Sequence, residues 1–231
     1  MLMICLFVRK RLSTSCGIIQ KWPKSMSILS KSLWSKGRNE MRYRCLSQQQ
    51  FSIEPYTVVP IREEDILLIK EWRNEQMEVL RQNAKLTDEG QKRYYVEAIK
   101  PSFDHENPRL ILFSYLRDNQ CIGYGGLTNV DWAAKRAEIS FLLDTARTHA
   151  VEQYQVDFAV FLELMKQVAF RDIGLNRLFT ETFDIRPHHL AVIEKAGFCL
   201  EGRMKQHAWA DSRLVDSLIH GYLKEYYNAK K

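Results

Sequence analysis

"FTETFDIRPHHLAVIEKAGFCLEG", residues 179–202, changes its period twice within one short stretch. Apolar and polar residues alternate up to Ile185, as they do along a strand. At Arg186-Pro187 the alternation stops and helical spacing begins. Pro187 suits a first helical position, where its missing N–H costs nothing and its fixed φ is already helical. Leu190, Ile193 and Ala196, at i, i+3 and i+6, predict one apolar stripe on a short helix. Gly197 supplies the left-handed residue that closes a helix, with Phe198 packing back beneath it. A second extended run starts at Cys199.

The flanking chain repeats these two periods. Residues 56–61, "YTVVPI", predict a strand ending near Pro60. A helix follows over 62–80, with acids in its first turn and Ile66, Ile69, Trp72 and Arg73 on a helical pattern. Thr87 caps a second helix, with Asp88 and Glu89 at its positive end, although Gly90 weakens that pattern. In "KRYY" (92–95) Tyr95 is the packing residue. Three extended runs, 109–117, 120–129 and 136–143, make a meander of hairpins. Residues 157–173 form the longest amphipathic stretch, closed by Gly174. Residues 199–223 read as a hairpin turning at 210–212. The order β-α-α-β-β-β-α-β-α-β-β is met by a mixed sheet with helices on both faces.

A chain of 231 residues suffices for one sizeable domain and an appendage. Its net charge of +6 is unevenly placed. Residues 1–40 hold eight of the 34 Lys/Arg and one of the 28 Asp/Glu, leaving 26 and 27 for the rest. The basicity therefore belongs to a tail, residues 1–50, and residues 51–231 form the domain. Nucleic acid is not an expected partner. The Ser-rich, acid-poor tail is either disordered or an upstream-start artefact with Met41 as initiator, or else a transit peptide. The corresponding locations are cytoplasmic or mitochondrial. Its apolar start, residues 1–8, is too short to cross a bilayer, and no membrane is expected as a partner. Five widely spaced cysteines without a C-x-x-C pair argue for reduced thiols and against a zinc site, with Cys121 and Cys199 expected as small buried hydrophobes. His188 and His189, about 100° apart on a helix, are not a metal pair, and no metal is expected.

"RPHHLAVIEKAGF" (186–198) resembles the signature helix N-P-A-S-x-x-V-L-E-K-A-G-F of the GNAT superfamily of N-acetyltransferases. The branch it resembles contains ribosomal-protein alanine acetyltransferases and surface-sugar acetyltransferases. "EWRN" (71–74), "IGYGGL" (122–127) and "AEISF" (137–141) match the same branch in the same order. The resemblance covers about residues 53–227 and implies an α/β fold with a mixed, mostly antiparallel twisted sheet of about seven strands. It implies that the family's fourth and fifth strands splay apart, with the pantetheine arm of acetyl-CoA between them. Two departures stand out. The family's Q/R-x-x-G-x-G/A loop, whose backbone N–H groups cradle pyrophosphate, corresponds to residues 142–158, which contain no glycine. Arg147, His149 and a helix N-terminus near 153–155 are the substitutes, unless this is a polar loop on a protein that has lost the cofactor. The tyrosine that protonates the leaving thiolate in many relatives is replaced by Ile193, and the asparagine heading the helix by Arg186. The proton must come from Tyr124, His189 or water.

The resemblance assigns Phe141, Leu142, Leu143, Arg147, His149, Arg186 and His189 to acetyl-CoA, with a bulge around 141–143 freeing an amide for the thioester oxygen. Glu138, a lone acid in an apolar strand, is either the base that takes the amine proton or a solvent-facing strand residue. The first helix forms the acceptor wall. There Trp72, Arg73, Asn74 and Arg81 either bind substrate, the two arginines holding a phosphate or carboxylate, or serve as core and solvated end. His207 and His220, with Asp216 between them, are satisfied structural groups or, for His207, a substrate contact. The expected reaction is direct acetyl transfer in a ternary complex to a small-molecule amine, foremost a nucleotide-linked amino sugar. Protein N-terminal acetylation and a non-catalytic acyl-CoA-binding module are the alternatives, in a monomer or homodimer.

Overall fold

The computed structural model describes residues 41–210 and 212–229. The expected tail over residues 1–40 lies outside them. Residues 41–50, which composition assigned to the tail, belong to the domain. Tyr43 is 1% exposed, and its hydroxyl bonds both peptide groups of Leu112. Leu46 is buried beside it. The segment is too short to show a period, so its two anchors were invisible to pattern.

β1 (Phe51–Ile53) and β2 (Tyr56–Pro60) precede α1 (Ile66–Glu75), which ends in a 3-10 turn, Met77–Val79. α2 (Asp88–Tyr94) runs through a π-helical turn into α3 (Lys100–Asp104). Thr87 caps α2 by accepting from Gly90 N. The meander is β3 (Ile111–Arg117), β4 (Gln120–Asp131) and β5 (Arg136–Leu143). Then come α4 (Thr145–Thr148), α5 (Val151–Lys166), β6 (Arg177–Phe183), α6 (Pro187–Lys195), β7 (Cys199–Ala210), β8 (Arg213–Leu223) and α7 (Lys224–Ala229). The eight strands lie in the order β1-β2-β3-β4-β5-β6-β8-β7. All neighbours are antiparallel except β5 and β6. The strand beyond the expected seven is β1, again too short for a period.

Helices cover both faces, as consecutive residues of β4 show. Tyr124 meets Arg73 of α1 on one side. A Cβ at Gly125 would point the other way and come within 2.7 Å of the Phe161 ring of α5. Glycine is what lets that ring come so close to the strand.

α6 starts and stops where Pro187 and Gly197 (φ +93°) place it, with Phe198 buried beneath. Its buried stripe is His189, Val192 and Ile193, with Leu190 only half-buried. The face is turned by one residue because His189 stacks on Phe158 of α5, ring centroids 4.1 Å apart. α5 begins six residues before the expected Asp157. Asp157 is fully buried and bound by Arg147, Tyr56 and Gln153.

Candidate active site

β5 and β6 pair over three residues only, Arg136↔Arg177, Ala137↔Leu178 and Glu138↔Phe179. Beyond that point β5 keeps its partner β4 to Leu143, and β6 keeps β8 to Phe183. The two strands therefore part. A cavity of about 250 Å³ lies between them, lined by Ile139, Ser140 and Phe141 on one wall and Thr180, Thr182 and Phe183 on the other. Phe141, Phe158 and His189 stack in succession across it, at 4.5 and 4.1 Å, joining β5 to α6 through α5.

The free edge of β5 is polar. Asp144 N donates to Ile122 O of β4, at 2.8 Å. Peptide direction alternates along a strand, so the N–H and C=O groups of Leu143, Phe141 and Ile139 point away from β4, into the wedge. Leu143 O agrees, accepting from the Gln76 side chain at 2.8 Å rather than from β4. The expected bulge around 141–143 is absent. β5 stays in register with β4 from Glu138 to Leu143, and the irregularity lies on β4, between Thr128 and Asp131. Divergence of two strands, not a bulge, exposes these amides.

That β4 bulge has another consequence. Asn129 adopts φ +49°, and its Nδ2 donates to Glu138 Oε2 at 2.7 Å. Glu138 is 8% exposed, so it is not a solvent-facing strand residue. Arg81 Nη2 donates to its other oxygen at 2.5 Å and lies 3.7 Å from Glu181 Oε2. Because Glu138 pairs with Phe179 in parallel register, Glu181, two residues further on, projects from the same face of the sheet. His207 Nε2 stands 3.6 Å from Glu181 Oε1. Arg81 and Glu181 also line a second cavity, about 480 Å³, with Met77, Glu78, His207 and Trp209. Two carboxylates, one from each parted strand, thus line the first cavity, and Glu181 lines the second as well. Such a pair can hold a cation or take a proton.

The remaining expected site residues divide. Arg73 lines the wedge, donating to Tyr124 OH at 2.5 Å and Gln82 Oε1 at 3.0 Å. Arg81 bridges carboxylates while its side chain stays half-exposed. Trp72 is 5% exposed and in the core. Asn74 clasps both peptide groups of Leu86, at 2.9 and 2.7 Å, and fixes the segment carrying Arg81. Leu142 is buried on the far side of β5 from Phe141. Arg147 is tied to Asp157 through two bonds, at 2.7 and 3.1 Å, and His149 is exposed after α4. Arg186 and His189 line the wedge, joined through Tyr154 of α5. His220 is fully buried, its ring nitrogens without a hydrogen-bond partner among the described residues and Glu194 3.6 Å from Nε2, so it is not the satisfied group expected. Asp216 is satisfied by Arg203 and Gln206 N. Cys199 is exposed, since β7 is a sheet edge, and Cys121 is half-buried, its thiol pushed up to about 12 chiefly by burial. Among the described residues no three His, Cys, Asp or Glu side chains form a metal set.

Sequence reasoning missed Glu181, Asn129 and Tyr154. Glu181 had a weak signal, a single acid in the strand run "FTETF", flanked by threonines where Glu138 in "AEISF" is flanked by Ala137 and Ile139. Asn129 and Tyr154 had none, because both act across elements.

A mixed sheet whose two parallel neighbours part around a polar cavity is the arrangement that the resemblance implied. Residues 58–219 match the model of the acetyltransferase (GNAT) domain, and the chain belongs to that family. Its reaction class is acetyl transfer to an amine. Among similar solved structures is the spermidine N-acetyltransferase of Vibrio cholerae in complex with CoA and spermine. It is 16% identical, with TM-score 0.67 over 76% of this chain and 99% of that one. A dodecameric form of the Vibrio cholerae enzyme gives 14%, 0.61, 78% and 99%. A probable acetyltransferase gives 20%, 0.60, 77% and 98%. At such identities the likeness shows the fold alone. No curated protein matches the chain.

Proposed function

We propose that this chain binds acetyl-CoA with the pantetheine arm between β5 and β6 and acetylates a small primary amine held at Glu138 and Glu181. The parting of β5 and β6 after Glu138 carries the proposal. It presents the peptide edge of Leu143, Phe141 and Ile139 to a cavity, and an amide-bearing arm can pair with that edge as a missing strand would. When bound, acetyl-CoA supplies the thioester. The same amides face the position where charge develops on its oxygen. For the pyrophosphate, Arg147 is already committed to Asp157. The first-turn amides of α5 have no side-chain cap and are the donors left in place of a glycine loop.

Glu138 collects the proton the amine loses. Arg81, half-exposed, occupies the place between Glu138 and Glu181 that an ammonium group suits. An acceptor with a second positive charge, of the polyamine kind, fits the acids Glu78 and Glu181 around the outer cavity. A nucleotide-linked amino sugar is the second reading, favoured by the guanidinium groups of Arg73 and Arg81 in the wedge. Release of free thiol from acetyl-CoA, measured with a polyamine, a nucleotide-linked amino sugar and a peptide with N-terminal alanine, decides among them. The expected result is turnover with the polyamine. No turnover with any of the three, and no rise in melting temperature with acetyl-CoA, would leave acetyl transfer by this chain unsupported.

A further inference from the structure

The position before Glu194-Lys195 in α6 is Ile193, fully buried, so no hydroxyl stands there. Three side chains from α5 and α6 meet nearby instead. Arg186 Nη2 donates to the Tyr154 hydroxyl oxygen at 3.1 Å, and that oxygen lies 2.5 Å from His189 Nδ1. A phenol oxygen that already accepts from a guanidinium still has its own proton to place. Among the described residues the only acceptor it meets is Nδ1. The O–H therefore donates to Nδ1, which puts the ring proton of a neutral His189 on Nε2.

Nδ1 is taken, so Nε2 is the nitrogen His189 offers to the wedge it lines. Phe158, stacked at 4.1 Å and nearly parallel at 14°, fixes the ring plane. The ionisable groups around the ring are Tyr154 from α5, Arg186 at the head of α6 and His220 from β8. Burial first, then the charges of Arg186 and His220, hold the imidazole pKa well below its ordinary value. The ring is neutral at neutral pH and acts as an N–H donor rather than a cation.

We propose that His189 Nε2–H is the proton donor to the departing coenzyme A sulfur, recharged at Nδ1 by Tyr154. This rests on acetyl-CoA being the donor substrate. As the carbon–sulfur bond breaks, the sulfur keeps its electron pair and takes the Nε2 proton. Nδ1 takes the Tyr154 proton, so the imidazole remains neutral in its other tautomer. Burial raises the Tyr154 pKa and the Arg186 guanidinium works against it, so Arg186 is the group that holds the transient phenolate. Solvent then protonates Nε2, the Nδ1 proton returns to Tyr154, and the proton gained by Glu138 leaves to solvent. The balance is an amine that loses one proton and a thiolate that gains one. His189 is the catalytic residue here, while Tyr154 and Arg186 are positioning residues.

The direct test needs no ligand. Nitrogen-15 NMR of the wild-type protein at neutral pH should show a neutral His189 protonated at Nε2. Tyr154→Phe should release the tautomer to a mixture. It should also lower kcat by about 10²-fold, at the low end for a positioned acid, with KM for acetyl-CoA unchanged. The thiol of bound coenzyme A should titrate at higher pH in the variant, since its thiolate has lost the donor. If the variant folds poorly, the wild-type tautomer still decides. A ring protonated at Nδ1 in a protein that binds acetyl-CoA, or normal kcat in a folded Tyr154→Phe, overturns the relay alone. Failure of the wild type to bind acetyl-CoA overturns the donor-substrate proposal first, a separate result.

Discussion

Arg147→Ala distinguishes a structural cation from a cofactor ligand. Asp157 is fully buried on α5, and its carboxylate takes two bonds from Arg147, one from Tyr56 OH at 2.8 Å and one from Gln153 Nε2 at 2.7 Å. Removing the guanidinium leaves a buried carboxylate with two neutral donors and no countercharge. Breaking such a pair from one side costs about 3–5 kcal/mol. For a domain of this size each kcal/mol moves the melting temperature by about 2–4 °C, so the expected fall is about 6–20 °C. Urea unfolding of the same variant should show the loss as a lower midpoint at unchanged slope. Arg147→Met combined with Asp157→Leu removes both charges and should recover part of the loss, although Tyr56 and Gln153 then lose a partner. A variant within about 1 kcal/mol of wild type that no longer binds acetyl-CoA would refute this reasoning. Arg147 would then be the ligand group that the sequence suggested.

Glu138→Gln should lower kcat/KM on the true acceptor by about 10²–10⁴-fold while leaving acetyl-CoA affinity unchanged, the loss shrinking at high pH, where more amine is already neutral. Steady-state rates across pH check it, and a flat, near-normal profile would make Glu138 a structural acid. Arg81→Ala should lower KM for a cationic acceptor, because it vacates the place between Glu138 and Glu181. A rise in KM for a sugar nucleotide would instead make Arg81 a phosphate ligand. A chain starting at Met41 should melt like the full chain. One starting at Phe51 loses buried Tyr43 and Leu46, about 1.5–3 kcal/mol each, and should melt well below it. Equal melting of the two truncations would show that residues 43–46 are only loosely docked.

The elements that sequence made legible are those whose information is local. Pro187, Gly197 and Phe198 bound α6 by their own backbone preferences, and Thr87 caps α2 by a contact three residues away. What escaped is held by long-range partners. Asp157 reads only as the first residue of an amphipathic stretch until Arg147 and Tyr56 fold over it. The apolar stripe of α6 reads from Leu190 because histidine counts as polar, whereas stacking on Phe158 makes His189 the buried residue. Glu138 was found as an odd acid in a strand, but its second carboxylate neighbour required the register of β5 against β6. The resemblance implied a bulge where the strand stays regular, and a peptide edge exposed by two diverging strands leaves no mark on either one alone.

The central claim is that the parted edge of β5 receives the pantetheine arm. Amide hydrogen exchange on β5, followed residue by residue with and without acetyl-CoA, tests it most directly. The N–H groups of Ile139, Phe141 and Leu143 face the wedge, and those of Ser140 and Leu142 already face β4. Acetyl-CoA should slow exchange at one or more of the first three and leave the other two little changed. Saturable binding of acetyl-CoA with exchange at Ile139, Phe141 and Leu143 unaltered would contradict it.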